Sequence, residues 1–157
     1  MENTFIENIF IEPFSIKHIE DVTEIHSNVM DGWSMKSLIS DLANTSTMSF
    51  VATYHGRAVG FCSYLVTDDA ELVFICTHPS YRKQGIGEKL LRDTIINEIP
   101  VGITKIVLEV RSQNEAALAL YKKMGFVKLG IRKGLYSTPA DDAVVMELTK
   151  GGVMELN

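Results

Sequence analysis

The stretch Arg82-Lys83-Gln84-Gly85-Ile86-Gly87 lies between two runs of different period, and their order decides the fold. Before it, Glu71 to Thr77 is a strand-like run that stops at His78-Pro79, because proline lacks the N–H that a ladder needs. After it, Ile86, Leu90, Leu91 and Ile95 recur at helical spacing and the run halts before Pro100, which predicts a helix. A glycine-bearing loop leading from strand into helix leaves the first helical N–H groups without partners at the positive end of the dipole, and glycine lets an anion approach the backbone. The segment therefore reads as a pyrophosphate cradle, with Arg82 and Lys83 adding side-chain charge. A tight turn made by two glycines is the alternative that the letters alone leave open. The loop is neither a dinucleotide fingerprint, since Leu90 stands where the third glycine falls, nor a P-loop, since no Gly-Lys-Ser/Thr follows.

Outward from this loop the same two periods alternate. Asn8 to Phe14 predicts a strand, and His18 to Met30 predicts an amphipathic helix with Ile19, Val22, Ile25, His26 and Val29 on one face. A second helix follows Ser34, which can cap it, with Leu38, Ile39 and Leu42 as the buried stripe. Met48 to Tyr54 and Ala58 to Val66, separated by His55-Gly56-Arg57, predict a hairpin. Downstream come a strand over Thr104 to Val110, a helix over Asn114 to Met124 ended by Gly125, and strands over Phe126 to Ile131 and Ala143 to Leu148. The whole predicts a mixed α/β sheet covered by helices.

Length and composition bound the function. With 157 residues and 46% apolar content, the chain is expected to form a single domain over 1–150, and the glycines at 151 and 152 open a flexible C-terminal tail over 151–157. No apolar run approaches the roughly 20 residues of a membrane span, and the amino terminus lacks a secretory pattern, so a cytoplasmic protein is expected. A net charge of −5 argues against nucleic-acid binding and suits a cationic substrate. Cys62 and Cys76 sit in strand-like runs and read as small buried hydrophobes, with no disulfide. The four histidines are scattered without ligand spacing, so no metal site is expected.

Arg82 to Gly87 matches every fixed position of the coenzyme loop of the GCN5-related N-acetyltransferase (GNAT) superfamily, which reads Arg or Gln, two residues, Gly, one residue, Gly or Ala. Within it the chain most resembles the ribosomal-protein-alanine N-acetyltransferases (RimI type), through Leu108-Glu109-Val110-Arg111, Asn114-Glu115-Ala116-Ala117 and Leu120-Tyr121-Lys122-Lys123-Met124-Gly125-Phe126. The resemblance implies an α/β (α+β) fold with a mixed, mostly antiparallel sheet of about seven strands flanked by about four helices. It implies acetyl-CoA as co-substrate and no metal, and as partner a protein or peptide N-terminus, possible acceptors including a small-subunit ribosomal protein. A monomer or weak homodimer is expected. It further implies that backbone groups of Ile75, Cys76 and Thr77 hold the acetyl and pantetheine part. Arg82 and the residues Lys83, Gln84, Gly85, Ile86, Gly87 and Glu88 would hold the pyrophosphate, Asn114 would touch the coenzyme arm, Glu109 would be the general base and Tyr121 the general acid.

The residues give those two roles a physical basis. Glu109 interrupts Ile106-Val107-Leu108-Glu109-Val110, and a carboxylate buried in such a run becomes a better base; an edge-facing or salt-bridged glutamate is the alternative. A peptide α-amino group, with a pKa of about 8, must lose a proton before it attacks a thioester. Tyr121 lies two helical turns after Asn114 with Leu118 between, so one face could line a coenzyme groove; a core tyrosine is the alternative. Proton transfer from a tyrosine to a thiolate is uphill by roughly 2 kcal/mol, which favours hydrogen bonding over full donation. Cys76 as an acyl-carrying nucleophile lacks an activating histidine in the sequence pattern.

Two segments depart from the subfamily. Trp33-Ser34 resembles its Pro-Trp-Ser, with Gly32 in place of proline, which predicts a looser start to the second helix. Arg132-Lys133-Gly134-Leu135-Tyr136 resembles a tyrosine-pair segment in which Leu135 replaces the first tyrosine. Trp33 and Tyr136 are the candidate acceptor contacts. Two other functions stay open: a small-molecule N-acetyltransferase with an acidic pocket drawn from Asp68, Asp69, Asp141 and Asp142, and a non-catalytic acetyl-CoA sensor.

Overall fold

A computed structural model describes residues 4–151, so all but Gly151 of the expected tail lies outside the described residues. The β-branched and aromatic runs form β1 (Ile9–Pro13), β2 (Thr47–Tyr54), β3 (Arg57–Val66), β4 (Ala70–Thr77), β5 (Lys105–Arg111), β6 (Val127–Ser137) and β7 (Ala140–Thr149). They make one seven-stranded sheet in the order β1-β2-β3-β4-β5-β7-β6. Every pairing is antiparallel except that of β4 with β5.

The helices are α1 (Thr4–Glu7), α2 (Ile19–Ser27), α3 (Met35–Ala43), α4 (Ile86–Asn97) and α5 (Glu115–Met124). The expected four become five because α1 is a single turn, too short for its sequence to show a helical period. The helix expected over His18 to Met30 is shorter: Ile16–His18 is a 3-10 turn and α2 ends at Ser27. The strand expected over Phe126 to Ile131 runs on to Ser137, paired with an equally extended β7. Ser34 does cap α3, its side chain accepting from the Ser37 amide, and Gly125 ends α5 in the left-handed conformation.

Alternation along the central strands feeds a core on each face of the sheet. Leu90, Leu91 and Ile95 of α4 and Tyr121 and Met124 of α5 pack against Cys62, Ile106, Leu108 and Val110. On the other face Val22 and Ile25 of α2 and Leu38 of α3 pack against Val51, Phe61 and Cys76. With both faces covered, β3 is buried without a break from Ala58 to Tyr64. Truncating a fully buried side chain such as Leu90 to alanine should cost about 2–5 kcal/mol.

The feature that positions the site is a split in the middle of the sheet. β4 and β5 pair only through Ala70↔Ile106, Glu71↔Val107 and Leu72↔Leu108. Beyond Leu72 they part, β4 continuing along β3 to Thr77 and β5 along β7 to Arg111. The edge of β4 that faces the gap has no strand partner from Val73 to Thr77 among the described residues. Parallel strands require a crossover, here α4, whose first turn therefore lies at the carboxyl end of β4, where open α/β sheets bind ligands.

Candidate active site

At the wide end of the split the loop from Arg82 to Gly87 takes an alternating backbone. Lys83 has φ 61° and Gly85, the N-cap of α4, has φ 92°, the left-handed region that glycine enters without strain. Left-handed residues ahead of a helix turn successive N–H groups toward one concavity, an arrangement suited to anions. Arg82 ties the loop back to β4 through Nε, which donates to the Thr77 carbonyl at 3.4 Å. Gly87 also serves packing: a Cβ there would meet Leu120 Cδ2 at 3.2 Å, so its bare backbone lets α4 close on α5.

A cavity of about 350 Å³ opens beside this turn, lined by Gln84, Gly85, Glu88, Lys89 and Arg92 among others. The Glu88 carboxylate takes Arg92 at 3.3 Å and Lys123 at 3.1 Å, so its charge is already matched. Arg92 Nε is buried with no hydrogen-bond partner among the described residues. An unpaired guanidinium N–H lining a cavity at a helix start fits a phosphate ligand. Arg92 is missing from the sequence expectation, although its seven-residue spacing from Gly85 along α4 puts the two on one face, a signal that could have found it. Ile86 is buried and can offer only its backbone, while Arg82, Lys83 and Gln84 are exposed.

Along the split, Ile75, Cys76 and Thr77 pair with Cys62, Phe61 and Gly60 on one edge and are open on the other. Burial pushes the Cys76 thiol far above its ordinary pKa. The expectation that no histidine neighbours it is corrected: His26 Nε2 stands 3.8 Å from the Cys76 sulfur. The Trp33 amide donates to His26 Nδ1 at 2.8 Å, so that nitrogen is unprotonated and Nε2 carries the proton toward the sulfur. Burial pulls the imidazole down to about 4, leaving it neutral. A proton-bearing nitrogen cannot take the thiol proton, so the pair is structural and Cys76 is not a nucleophile.

Glu109 departs from its expected setting. Ile106, Leu108 and Val110 enter the core beside Tyr121, so alternation turns Glu109 to the opposite face, where it is exposed. Its partner is Arg132, whose Nη1 donates to both carboxylate oxygens. Tyr121 is buried, its ring 5.6 Å from that of Phe126, and burial first, then the charge of Tyr136, drives its phenol well above the ordinary range. No hydrogen bond from its hydroxyl is found among the described residues. Glu109 and Tyr121 thus flank the split from opposite faces of the sheet. Asn114 caps α5, its Oδ1 accepting from the Ala117 amide at 3.1 Å, which leaves its Nδ2 hydrogens to donate elsewhere.

The wall on Glu109's face is built from two loops. Trp33 stacks on His26 with centroids 5.5 Å apart. Gly32 is tightly enclosed, contrary to the looser start expected for α3: a Cβ there would lie 1.9 Å from the His26 carbonyl oxygen. Opposite, Tyr136 is partly buried and within electrostatic reach of Asp31, Glu109 and Arg111, and burial first, then the Asp31 charge, raises its phenol. Arg111, absent from the expected site, lies buried beneath Tyr136 and binds Asp31. The acidic pocket imagined for a small amine does not assemble. Asp141 is engaged by Ser112 and by the Gln113 and Asp142 amides, Asp142 by the Gly134 amide and Lys133, and Asp68 and Asp69 lie at the far end of β4.

Comparison with known proteins agrees with this geometry. The Acetyltransferase (GNAT) family matches residues 5–126. The [ribosomal protein bS18]-alanine N-acetyltransferase of Escherichia coli K12 is 35% identical over 119 residues, covering 74% of this chain and 80% of that one. The N-alpha-acetyltransferase RimI of Mycobacterium tuberculosis is 31% identical over 126 residues, covering 77% and 78%. The crystal structure of the ribosomal-protein-S18-alanine N-acetyltransferase from Escherichia coli superposes with a TM-score of 0.82 at 30% identity, covering 90% of this chain and 93% of that one. A sheet split at its two parallel strands, a glycine-turned helix start at the mouth of the split and a match across both together mean that this chain belongs to the acetyltransferase (GNAT) family.

Proposed function

We propose that this N-acetyltransferase moves the acetyl group of acetyl-CoA onto the α-amino group of a protein N-terminus, a small-subunit ribosomal protein being the first acceptor to try. The observation that carries the acceptor class is the openness of Glu109's face. Glu109 and its partner Arg132 are both exposed there, which suits the end of a chain better than an enclosed small amine. The relatives named for bS18 and N-alpha acetylation support the same acceptor. With such an acceptor the reaction is cytoplasmic.

Acetyl-CoA supplies the acyl group as an activated thioester. The N–H groups from Lys83 to Glu88, helped by Arg82 and Arg92, bind the diphosphate at the start of α4. The free edge of β4 at Ile75, Cys76 and Thr77 offers backbone groups to the pantetheine amides, as an exposed strand edge pairs with an added strand. Asn114 Nδ2 donates to the same arm. Glu109, on the acceptor face, takes the proton that most α-amino groups carry at neutral pH, directly or through water. Tyr121 keeps its proton because burial raises its phenol, so its hydroxyl donates a hydrogen bond to the departing sulfur. Trp33 and Tyr136 border the acceptor.

A panel assay tests this. Acetyl-CoA is supplied with peptides bearing free amino termini or with polyamines, amino acids and aminoglycosides, and released thiol is followed. Turnover on the peptides that Glu109→Gln abolishes is expected. Turnover on small amines alone would overturn the acceptor class, and coenzyme binding without turnover on any amine would overturn catalysis.

A further inference from the structure

Arg111 ends β5 two residues after Glu109 and on the same face, yet the residue is only 8% exposed. Nε donates to Asp31 Oδ2 at 2.8 Å and one Nη2 hydrogen to Asp31 Oδ1 at 3.0 Å, the two-pronged contact that a carboxylate accepts best. Nη1 donates to the Pro139 carbonyl at 2.7 Å and Nη2 also to the Thr138 carbonyl at 3.3 Å. The ring of Tyr136 covers the plane with its centroid 4.2 Å away. One side chain thus joins the loop between α2 and α3 to the hairpin between β6 and β7. Those are the two walls that carry Trp33 and Tyr136.

Asp31 has φ 62°, a conformation that side chains other than glycine, asparagine and aspartate enter at a cost. The pair with Arg111 holds it there, and one residue later Gly32 packs under the His26 carbonyl. Trp33 is then pinned from both sides, by Asp31 through Arg111 and by its own amide on His26. Lysine in place of Arg111 would keep the charge but could not span a carboxylate and two carbonyls with one planar group.

We infer that Arg111 and Asp31 are positioning residues that set the spacing of the acceptor groove, so that they govern acceptor affinity and leave donor binding alone. The inference rests on the reading of Glu109's face as the acceptor side. Asp31→Asn is the informative substitution, because asparagine tolerates the same backbone and nearly the same shape while losing the charge. Trp33 is the only tryptophan, so its fluorescence reports the loop independently of turnover.

The experiment measures acrylamide quenching of Trp33, the acceptor KM and the acetyl-CoA KM in wild type, Asp31→Asn and Arg111→Lys. Both substitutions should raise the acceptor KM by about tenfold or more and increase quenching, with the acetyl-CoA KM within about twofold. Unchanged quenching, or equal rises in both KM values, would overturn the inference. A wild type inert toward every amine would remove the proposed function instead, and the Trp33 quenching alone would then decide whether the pair holds the loop.

Discussion

One nitrogen of Arg132, Nη1, donates to both carboxylate oxygens of Glu109, at 3.0 and 2.9 Å. The pair is exposed, so it orients the carboxylate without removing it from solvent, and such pairs stabilise a fold by about 1 kcal/mol at most. Glu109→Gln should lower kcat by about a hundred- to ten-thousandfold and leave acetyl-CoA binding unchanged. Arg132→Gln should cost far less, since it removes only the orientation. Thiol release and calorimetric titration with acetyl-CoA measure both.

Tyr121→Phe separates the hydroxyl from the ring. The ring fills a core position, whereas the hydroxyl makes no hydrogen bond within the described residues. Phenylalanine should change the unfolding free energy by less than about 1 kcal/mol, yet lower kcat by about tenfold or more. A large loss of stability with unchanged kcat would make Tyr121 a packing residue only.

Gly85→Ala tests the helix start. A side chain at φ 92° costs about 1–2 kcal/mol, and its nearest neighbour, Ile6 Cδ1 at 3.6 Å, presents no clash, so the backbone alone is perturbed. Weaker acetyl-CoA binding is expected. Arg92→Met, which removes the buried unpaired Nε, should weaken it as well, while coenzyme fragments that lack the diphosphate should be less sensitive to the change.

Gly32→Ala should destabilise the protein by about 1–3 kcal/mol, because the new Cβ meets a backbone oxygen, which cannot swing aside as a side chain would. Thermal unfolding measures the loss. A neutral result would mean that the loop has a second conformation.

His26 makes stability depend on pH. Its folded pKa, about 4, lies below the ordinary 6.5, so between those values the unfolded chain binds the extra proton. Stability is therefore full above about 6.5 and falls as pH drops toward 4, by up to about 1.4 kcal/mol per pH unit for this one group. Protonation also takes Nδ1 from the Trp33 amide, so Trp33 emission should shift in the same window. His26→Asn should flatten both curves.

Periodicity in the sequence announced eleven of these elements because their residues alternate or recur on one face: the helix after Gly85, the hairpin around Gly56 and the cap at Ser34 all stand where local spacing puts them. The turn Thr4–Glu7 was illegible, being shorter than any period, and the full reach of β6 and β7 was hidden because β6 is exposed along nearly its whole length, with no buried stripe to mark it. Glu109 was legible as a carboxylate among apolar residues, but which face it takes depends on the pairing of β5 with β7.

By itself the sequence determined what is local: a strand, a glycine turn and a helix start in succession, hence open amides and a left-handed Gly85, since helix ends and positive φ are consequences of neighbouring residues. Only the tertiary structure decided the split between β4 and β5, the exposure of Glu109, the tautomer of His26 beside Cys76, and the junction of Arg111 with Asp31, which lies 80 residues away. These depend on which distant segments share a face or an edge, and strand register and long-range ion pairs are set by the packing of the whole sheet rather than by the spacing of adjacent side chains.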